Sequence, residues 1–177
     1  GRLVIDGLAR SPKQLPPKYF YDEAGSQLFE QITRLPEYYP TRTELDILRD
    51  HGADIAAIVP EGAALVEFGA GATTKVRLLL ERCAFGAYVP VDISGAFLNG
   101  QADALRKDFP QLAIHPVVAD FTASFTLPDA VATMPKVGFF PGSTLGNFEP
   151  HEACAFLRSV RAILGDGATM IIGVDLE

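Results

Sequence analysis

Tryptophan is absent from this chain, and histidine and cysteine are scarce, with three His and two Cys in 177 residues. So few cysteines exclude a disulfide-stapled secreted module. Cys83 and Cys154 have no Cys-x-x-Cys or metal-ligand spacing and read as buried or half-buried thiols of a cytoplasmic protein. His51, His115 and His151 do not cluster, so neither a metal site nor a Ser/His/Asp triad can be assembled. Basic residues are also under-represented, 15 against 22 acidic ones, for a net charge of −7. With no basic stripe, a nucleic-acid backbone or an anionic membrane is not an expected partner. No apolar run reaches membrane-spanning length, and the N-terminus shows no signal-peptide pattern. What is plentiful is apolar surface, at 48% hydrophobic residues and a mean hydropathy of +0.17. That is ample for the core of one domain, and apolar enough to expect part of its surface to be covered.

The richest stretch is Ala63-Ala64-Leu65-Val66-Glu67-Phe68-Gly69-Ala70-Gly71. An apolar run reads as a buried parallel strand. It ends in a carboxylate and a Gly-x-Gly turn, where the backbone can bend sharply and approach a ligand. A predicted helix from Thr73 then aims its free N–H groups into the same space. A dinucleotide fingerprint wants a third glycine where this chain has Thr74. Glu67 does nothing for a pyrophosphate but suits a cationic ligand, and S-adenosylmethionine (SAM) carries a sulfonium and an ammonium. Glu-x-Gly-x-Gly resembles the first motif of class I methyltransferases. A strand–turn–helix corner without a ligand is the bland alternative.

Along the chain, residues 1 to 20 read as irregular, with Pro12, Pro16 and Pro17 blocking a long helix. A helix is expected from about Glu23 to Thr33, capped by Asp22, with Leu28, Phe29 and Ile32 on one face. Pro36 and Pro40 bracket a loop at Glu37-Tyr38-Tyr39, and Thr41 or Thr43 opens a helix running to about Ile58. From Ala63 the pattern alternates. Strands are predicted at 63–68, 87–91, 113–119, 137–140 and 169–174, with helices at 73–83, 94–108 and 151–164. Such alternation means β/α units on an open parallel sheet. We expect an α/β fold of two parts: a helical N-terminal segment over 1–60 that caps the cleft, and a cofactor-binding Rossmann-like part over 61–177.

In such a sheet, ligands bind beyond the carboxyl ends of the strands. Glu67, Gly69, Gly71, Asp92, Asp120 and Asn147 all fall there. Asp92 ends the second strand and suits two ribose hydroxyls; capping of the next helix is its alternative role, although Ser94 can serve there. Asp120 with Phe121 suits an adenine amino group and ring, or a loop Asp beside a core Phe. Lys75 opens a helix, where a cation is unfavourable, so it either answers an anion such as a cofactor carboxylate or is solvated. Asn147, after Pro141-Gly142-Ser143-Thr144, offers a donor and an acceptor to a small substrate, or is tolerated at positive φ in a turn. The tyrosine loop either closes over the cleft or makes an aromatic helix–helix corner.

Taken together, Leu15-Pro16-Pro17-Lys18-Tyr19-Phe20-Tyr21-Asp22, Pro36-Glu37-Tyr38-Tyr39-Pro40-Thr41-Arg42, Glu67-Phe68-Gly69-Ala70-Gly71 with Lys75, and Gly142-Ser143-Thr144 to Gly146-Asn147 resemble the histidine-specific methyltransferase family of ergothioneine biosynthesis. The tyrosine loop and the Gly-Ser-Thr-x-Gly-Asn run are the more specific parts. The resemblance implies a class I SAM-methyltransferase sheet, incomplete at its C-terminal end, and N-methylation of the α-amino group of L-histidine to the betaine hercynine. It implies cofactor contacts at Gly69, Lys75, Asp92, Asp120 and Phe121, substrate contacts at Tyr38 and Asn147, and Tyr21 near the substrate amine. It names no general base. It also implies a longer enzyme, whose remaining part holds the imidazole, so this chain alone is expected to be inactive, to bind S-adenosylhomocysteine weakly and to self-associate. Methylation of another amine, a non-catalytic nucleoside-binding module that needs a partner, and a dinucleotide oxidoreductase are the competing readings.

Overall fold

A computed structural model describes residues 2–15 and 23–176. Four helices come first: α1 (Arg2–Leu8), α2 (Glu23–Ile32), α3 (Tyr39–Asp50) and α4 (Gly52–Ile58). Six strands and three helices follow: β1 (Ala64–Phe68), α5 (Thr74–Leu80), β2 (Ala87–Asp92), α6 (Gly95–Asp108), β3 (Ala113–Ile114), β4 (Val117–Val118), β5 (Lys136–Phe140), α7 (Pro150–Leu164) and β6 (Thr169–Ile172). The strand order is β3-β2-β1-β5-β6, with β4 also pairing β2, and every pairing is parallel. The expected α/β sheet is therefore present.

β1 is the central strand, and each of its residues is buried. That explains its continuous apolar run, since both faces of a parallel sheet are covered. Leu65, Tyr88, Val137 and Phe139 point to one face and pack with Leu48 of α3, Val76 and Leu79 of α5 and Ala102 and Leu105 of α6. Ala64, Val66, Phe68, Val89, Val91 and Phe140 point to the other, against Phe156, Val160 and Leu164 of α7. Phe156 centres an aromatic cluster, with ring centroids 4.6 Å from Phe140, 5.5 Å from Phe148, 5.9 Å from Phe121 and 6.0 Å from Phe68. α7 starts cleanly because Pro150 occupies its first turn and Glu149 and Glu152 form a reciprocal capping box.

Several expectations need correction. Residues 2–8 form a helix, so the prolines confine helical structure near the N-terminus without abolishing it. α3 starts at Tyr39, ahead of either threonine, because Pro40 is well suited to a first helical turn. The helix expected to run to Ile58 breaks at His51, ahead of Gly52, into α3 and α4. Leu28 and Ile32 of α2 are exposed. The third predicted strand divides into β3 and β4 around His115-Pro116, since proline cannot donate to a ladder. The last strand ends at Ile172 instead of Val174. Cys83 is buried but Cys154 is exposed on α7. Ser94 makes no side-chain cap; Asp92 accepts its backbone N–H instead. Asp22 lies outside the described residues.

Candidate functional site

The strand order reverses at β1: β2 lies on one side and β5 on the other. In such sheets the crevice beyond the strand carboxyl ends at the switch point is where ligands bind; at this edge Glu67, Lys75 and Asp92 interact electrostatically and Gly69 meets Phe121, while Asp120 and Asn147 follow β4 and β5. Gly69 leaves β1 with φ of 77°, and a Cβ there would stand 3.1 Å from the Phe121 ring. Glycine is thus required twice, for the left-handed turn and for the aromatic approach. The Gly69 and Ala70 N–H groups both donate to Val91 O, at 2.9 and 3.0 Å, which fastens the loop to β2. Gly71, next in the loop, faces open space.

Glu67 is 3% exposed and accepts the Tyr88 hydroxyl. Burial raises its pKa to about 7; Tyr88 and Lys75 pull it down, and Asp92 and Glu44 push it up. These charges share one neighbourhood at the sheet edge. Burial likewise raises the Asp92 carboxyl, against the backbone N–H donors of Ser94 and Ile93; the Ser94 bond is 2.8 Å long. Asp120 closes a small turn by accepting the Thr122 N–H at 3.0 Å and the Thr122 hydroxyl at 2.5 Å. Phe121 is half-buried between Gly69 and the Phe140 and Phe156 rings. Phe121 thus packs with core rings while one edge meets the Gly69 turn.

Lys75 is not solvated: it answers an anion, and that anion is a side chain of the chain itself. It is 16% exposed and forms an ion pair with Glu44 of α3. Glu44 also accepts the Gly142 N–H with both carboxylate oxygens, at 2.9 and 3.0 Å. Gly142 and Ser143 are both left-handed, with φ of 83° and 56°. The strained residue of the second motif is therefore Ser143, and Asn147 is not held at positive φ. Asn147 ends a short 3-10 turn over Thr144–Asn147 and is exposed. Tyr38 packs edge-on to Phe29, centroids 5.8 Å apart, and precedes α3. Arg42 holds the carbonyls of Leu35 at 2.7 Å, Pro36 at 2.5 Å and Tyr38 at 3.3 Å, so the loop is stiffened from within. Tyr21 lies outside the described residues.

Sequence reasoning missed Glu44 and Tyr88. Glu44 was one charge on a helix, with no local signal to set it apart. Tyr88 sits in an apolar strand; the clue was Glu67 itself, because a carboxylate in a buried run needs a donor. Among the described residues, cavities also lie away from this edge. One, of about 320 Å³, is lined by Leu80, Cys83, Phe109 and Leu112 at the opposite edge. Another, of about 280 Å³, lies between α7 and β6. Among the described residues, no cluster of three or more His, Cys, Asp or Glu could hold a metal ion, and no helix is long and apolar enough to cross a membrane.

The family model described as "Histidine-specific methyltransferase, SAM-dependent" matches residues 1–177. The chain belongs to this family. It is 39% identical to a histidine N-alpha-methyltransferase of Mycobacterium tuberculosis and 40% identical to one of Mycolicibacterium smegmatis, over 99% of this chain and 55% of each relative. It is 34% identical, over 93% of its length, to 19% of ergothioneine biosynthesis protein 1 of Neurospora crassa. The chain thus spans about half the length of the bacterial relatives it matches. Among solved structures, it resembles a putative SAM-dependent methyltransferase from Methanococcus maripaludis, with a TM-score of 0.57, 16% identity and coverage of 86% of this chain and 63% of the other. It also resembles the SAM-bound magnesium protoporphyrin IX methyltransferase of Synechocystis, with a TM-score of 0.54, 12% identity and coverage of 86% and 74%. At those identities the likeness concerns the fold, and the fold is that of class I SAM-methyltransferases.

Proposed function

We propose that the protein carrying this chain transfers methyl groups from S-adenosylmethionine to the α-amino nitrogen of L-histidine, and that this chain supplies its cofactor half. The observation that carries the reading is the crevice at the β1 switch point, where the Gly69 turn meets Phe121 and Glu67, Lys75 and Asp92 share one electrostatic neighbourhood. The residues fit the cofactor chemically. Asp92 closes β2 and Asp120 follows β4, where they can accept from ribose hydroxyls and an adenine amine. Phe121 can pack against the adenine ring. Gly69 and Gly71 keep the loop free of side chains, and buried Glu67 favours a cation. Lys75 and Glu44 form a paired edge toward an amino-acid tail.

The cofactor supplies an electrophilic methyl group. The chain's part is to bind, orient and exclude water, because such a displacement needs an unprotonated amine held in line in a dry site. Tyr38 and Asn147 orient the substrate carboxylate, and the helices that precede β1 cap the crevice. Tyr21, outside the described residues, is assigned to the amine by the family resemblance alone.

Calorimetry with S-adenosylhomocysteine tests the cofactor assignment. Asp92→Asn keeps an acceptor for the Ser94 N–H but loses the charge that takes the ribose hydroxyls. It should weaken binding about 10- to 100-fold, the worth of a hydrogen bond to a charged group. Wild-type affinity in that variant, or no binding by the wild type, would end the assignment. A second reading has a relative behind it: the chain is also 28% identical to a 4-dimethylallyltryptophan N-methyltransferase of Claviceps purpurea, over 89% of this chain and 48% of that protein. A panel of amino acids separates the two, since preference for an indole or aliphatic amine over histidine would favour the alternative.

A further inference from the structure

We propose that Glu44 is a positioning residue that sets the tyrosine turn over the cofactor edge. This rests on the functional reading above. Tyr38 precedes α3 and Tyr39 starts it. Arg42 binds three carbonyls of the 35–38 turn, so turn and helix move as one body. Leu48 packs this body on the sheet through the core, and Glu44 is its polar grip on the sheet edge. Its carboxylate accepts the Gly142 N–H with both oxygens, at 2.9 and 3.0 Å, across 98 residues of sequence, and pairs with Lys75 of α5. The last residue involved is Gly173, just past β6. A Cβ there would overlap Glu44 Oε1, so the carboxylate lies where no other residue type would leave it room.

Four elements therefore meet at one carboxylate: α3, α5 and the chain leaving β5 and β6. Both members of the ion pair are only 16% exposed. A mostly buried pair gains little net stability, because desolvation offsets attraction. What such a pair fixes is geometry, and here it fixes the turn bearing Tyr38 relative to Lys75 and the Gly142-Ser143 turn that leads to Asn147. A further polar tie is weaker. The Tyr39 hydroxyl lies 3.5 Å from exposed Asp175 Oδ2, and Asp175 in turn donates its N–H to Ser143 Oγ at 2.9 Å.

The test compares Glu44→Gln and Glu44→Asp with wild type in the gene product that carries this chain. Glutamine keeps an acceptor for Gly142 but removes the charge from Lys75; aspartate keeps the charge and falls short by a methylene. For the Gln variant we expect the KM for histidine to rise at least about tenfold, as for a misplaced orienting group, with a smaller change in kcat. Affinity for S-adenosylhomocysteine should change by a smaller factor than the histidine KM, because the variant leaves Gly69, Asp92 and Phe121 in place and alters only the Lys75 end of the cofactor edge. Hydrogen exchange should accelerate at residues 36–43 and at the Gly142 amide, with Asp between Gln and wild type. A purely structural role would lower the melting temperature without separating the two ligands. Wild-type histidine KM together with wild-type exchange at 36–43 would overturn the proposal, and so would failure of both variants to fold. If the wild type does not methylate histidine, the functional reading fails, while the exchange measurement still decides the role of Glu44.

Discussion

Replacing Glu67 with glutamine should make the protein more stable at pH 8 and have a much smaller effect at pH 5. Burial is the main reason the folded carboxyl titrates near 7 instead of its ordinary 4.5. Below about 4.5 the group is protonated in both states and contributes its full share to stability. As the pH rises, the unfolded chain releases its proton while the buried group retains it, so stability falls. Above about 7 the native carboxylate is ionised too, and the loss is complete. At about 1.4 kcal/mol per pH unit, the displacement is of order 3 kcal/mol. Glutamine removes that titration and still offers an acceptor to the Tyr88 hydroxyl. Urea unfolding of both proteins at pH 5, 6.5 and 8, without ligand, reads the difference directly. Two Gln and wild-type curves that stay parallel across this range would refute the argument, because Asp92, whose carboxyl is also raised, titrates in both. The same group has a ligand signature. A cation beside Glu67 favours its ionised form, so wild-type affinity for S-adenosylhomocysteine should fall between pH 8 and 6, and the Gln variant should be flatter.

Gly69→Ala should cost about 1–2 kcal/mol and sharply weaken S-adenosylhomocysteine binding, because an L-residue is strained at φ of 77° and its methyl would press on Phe121; a variant with wild-type melting and affinity would show that the loop tolerates side chains. Phe156→Ala removes the ring at the centre of the aromatic cluster and should lose about 3–5 kcal/mol in chemical denaturation, whereas a loss below 1 kcal/mol would mean the cluster repacks. The 177-residue chain should associate in a concentration-dependent way in sedimentation velocity, since β6 pairs on one side with β5 among the described residues and Val174 and Leu176 are exposed nearby; a sedimentation coefficient independent of concentration would contradict this.

The strand–helix alternation was legible because it is carried by local pattern. Buried strands such as Ala64–Phe68 are continuously apolar, and the helices after them have ordinary amphipathic spacing. The positions of Glu67, Gly69, Asp92 and Asp120 followed from the same pattern, because carboxyl ends of parallel strands lie on one edge. Where the reading failed, the deciding contact was non-local or a single residue changed the local geometry. His115-Pro116 divided a predicted strand that by composition looked whole. The left-handed residue of the second motif is Ser143, held there beside Asp175, although asparagine is the residue type more at home in that conformation. Lys75 could not be placed from sequence because its partner, Glu44, lies in a helix whose docking depends on Gly142 and Gly173. The tyrosine turn was visible as a stiff segment between prolines, but its lock, Arg42 folded back on three carbonyls, has no pattern of its own.

The central claim is methyl transfer to histidine at the crevice beyond β1 and β2. The most direct measurement incubates the gene product that carries this chain with S-adenosylmethionine bearing a labelled methyl group and with L-histidine, and resolves the products by mass. The account predicts labelled Nα-methylated histidines ending in the trimethylated betaine, and loss of label incorporation in Asp92→Asn. Label on an imidazole nitrogen, label on a different amine in preference to histidine, or full activity in Asp92→Asn would contradict it.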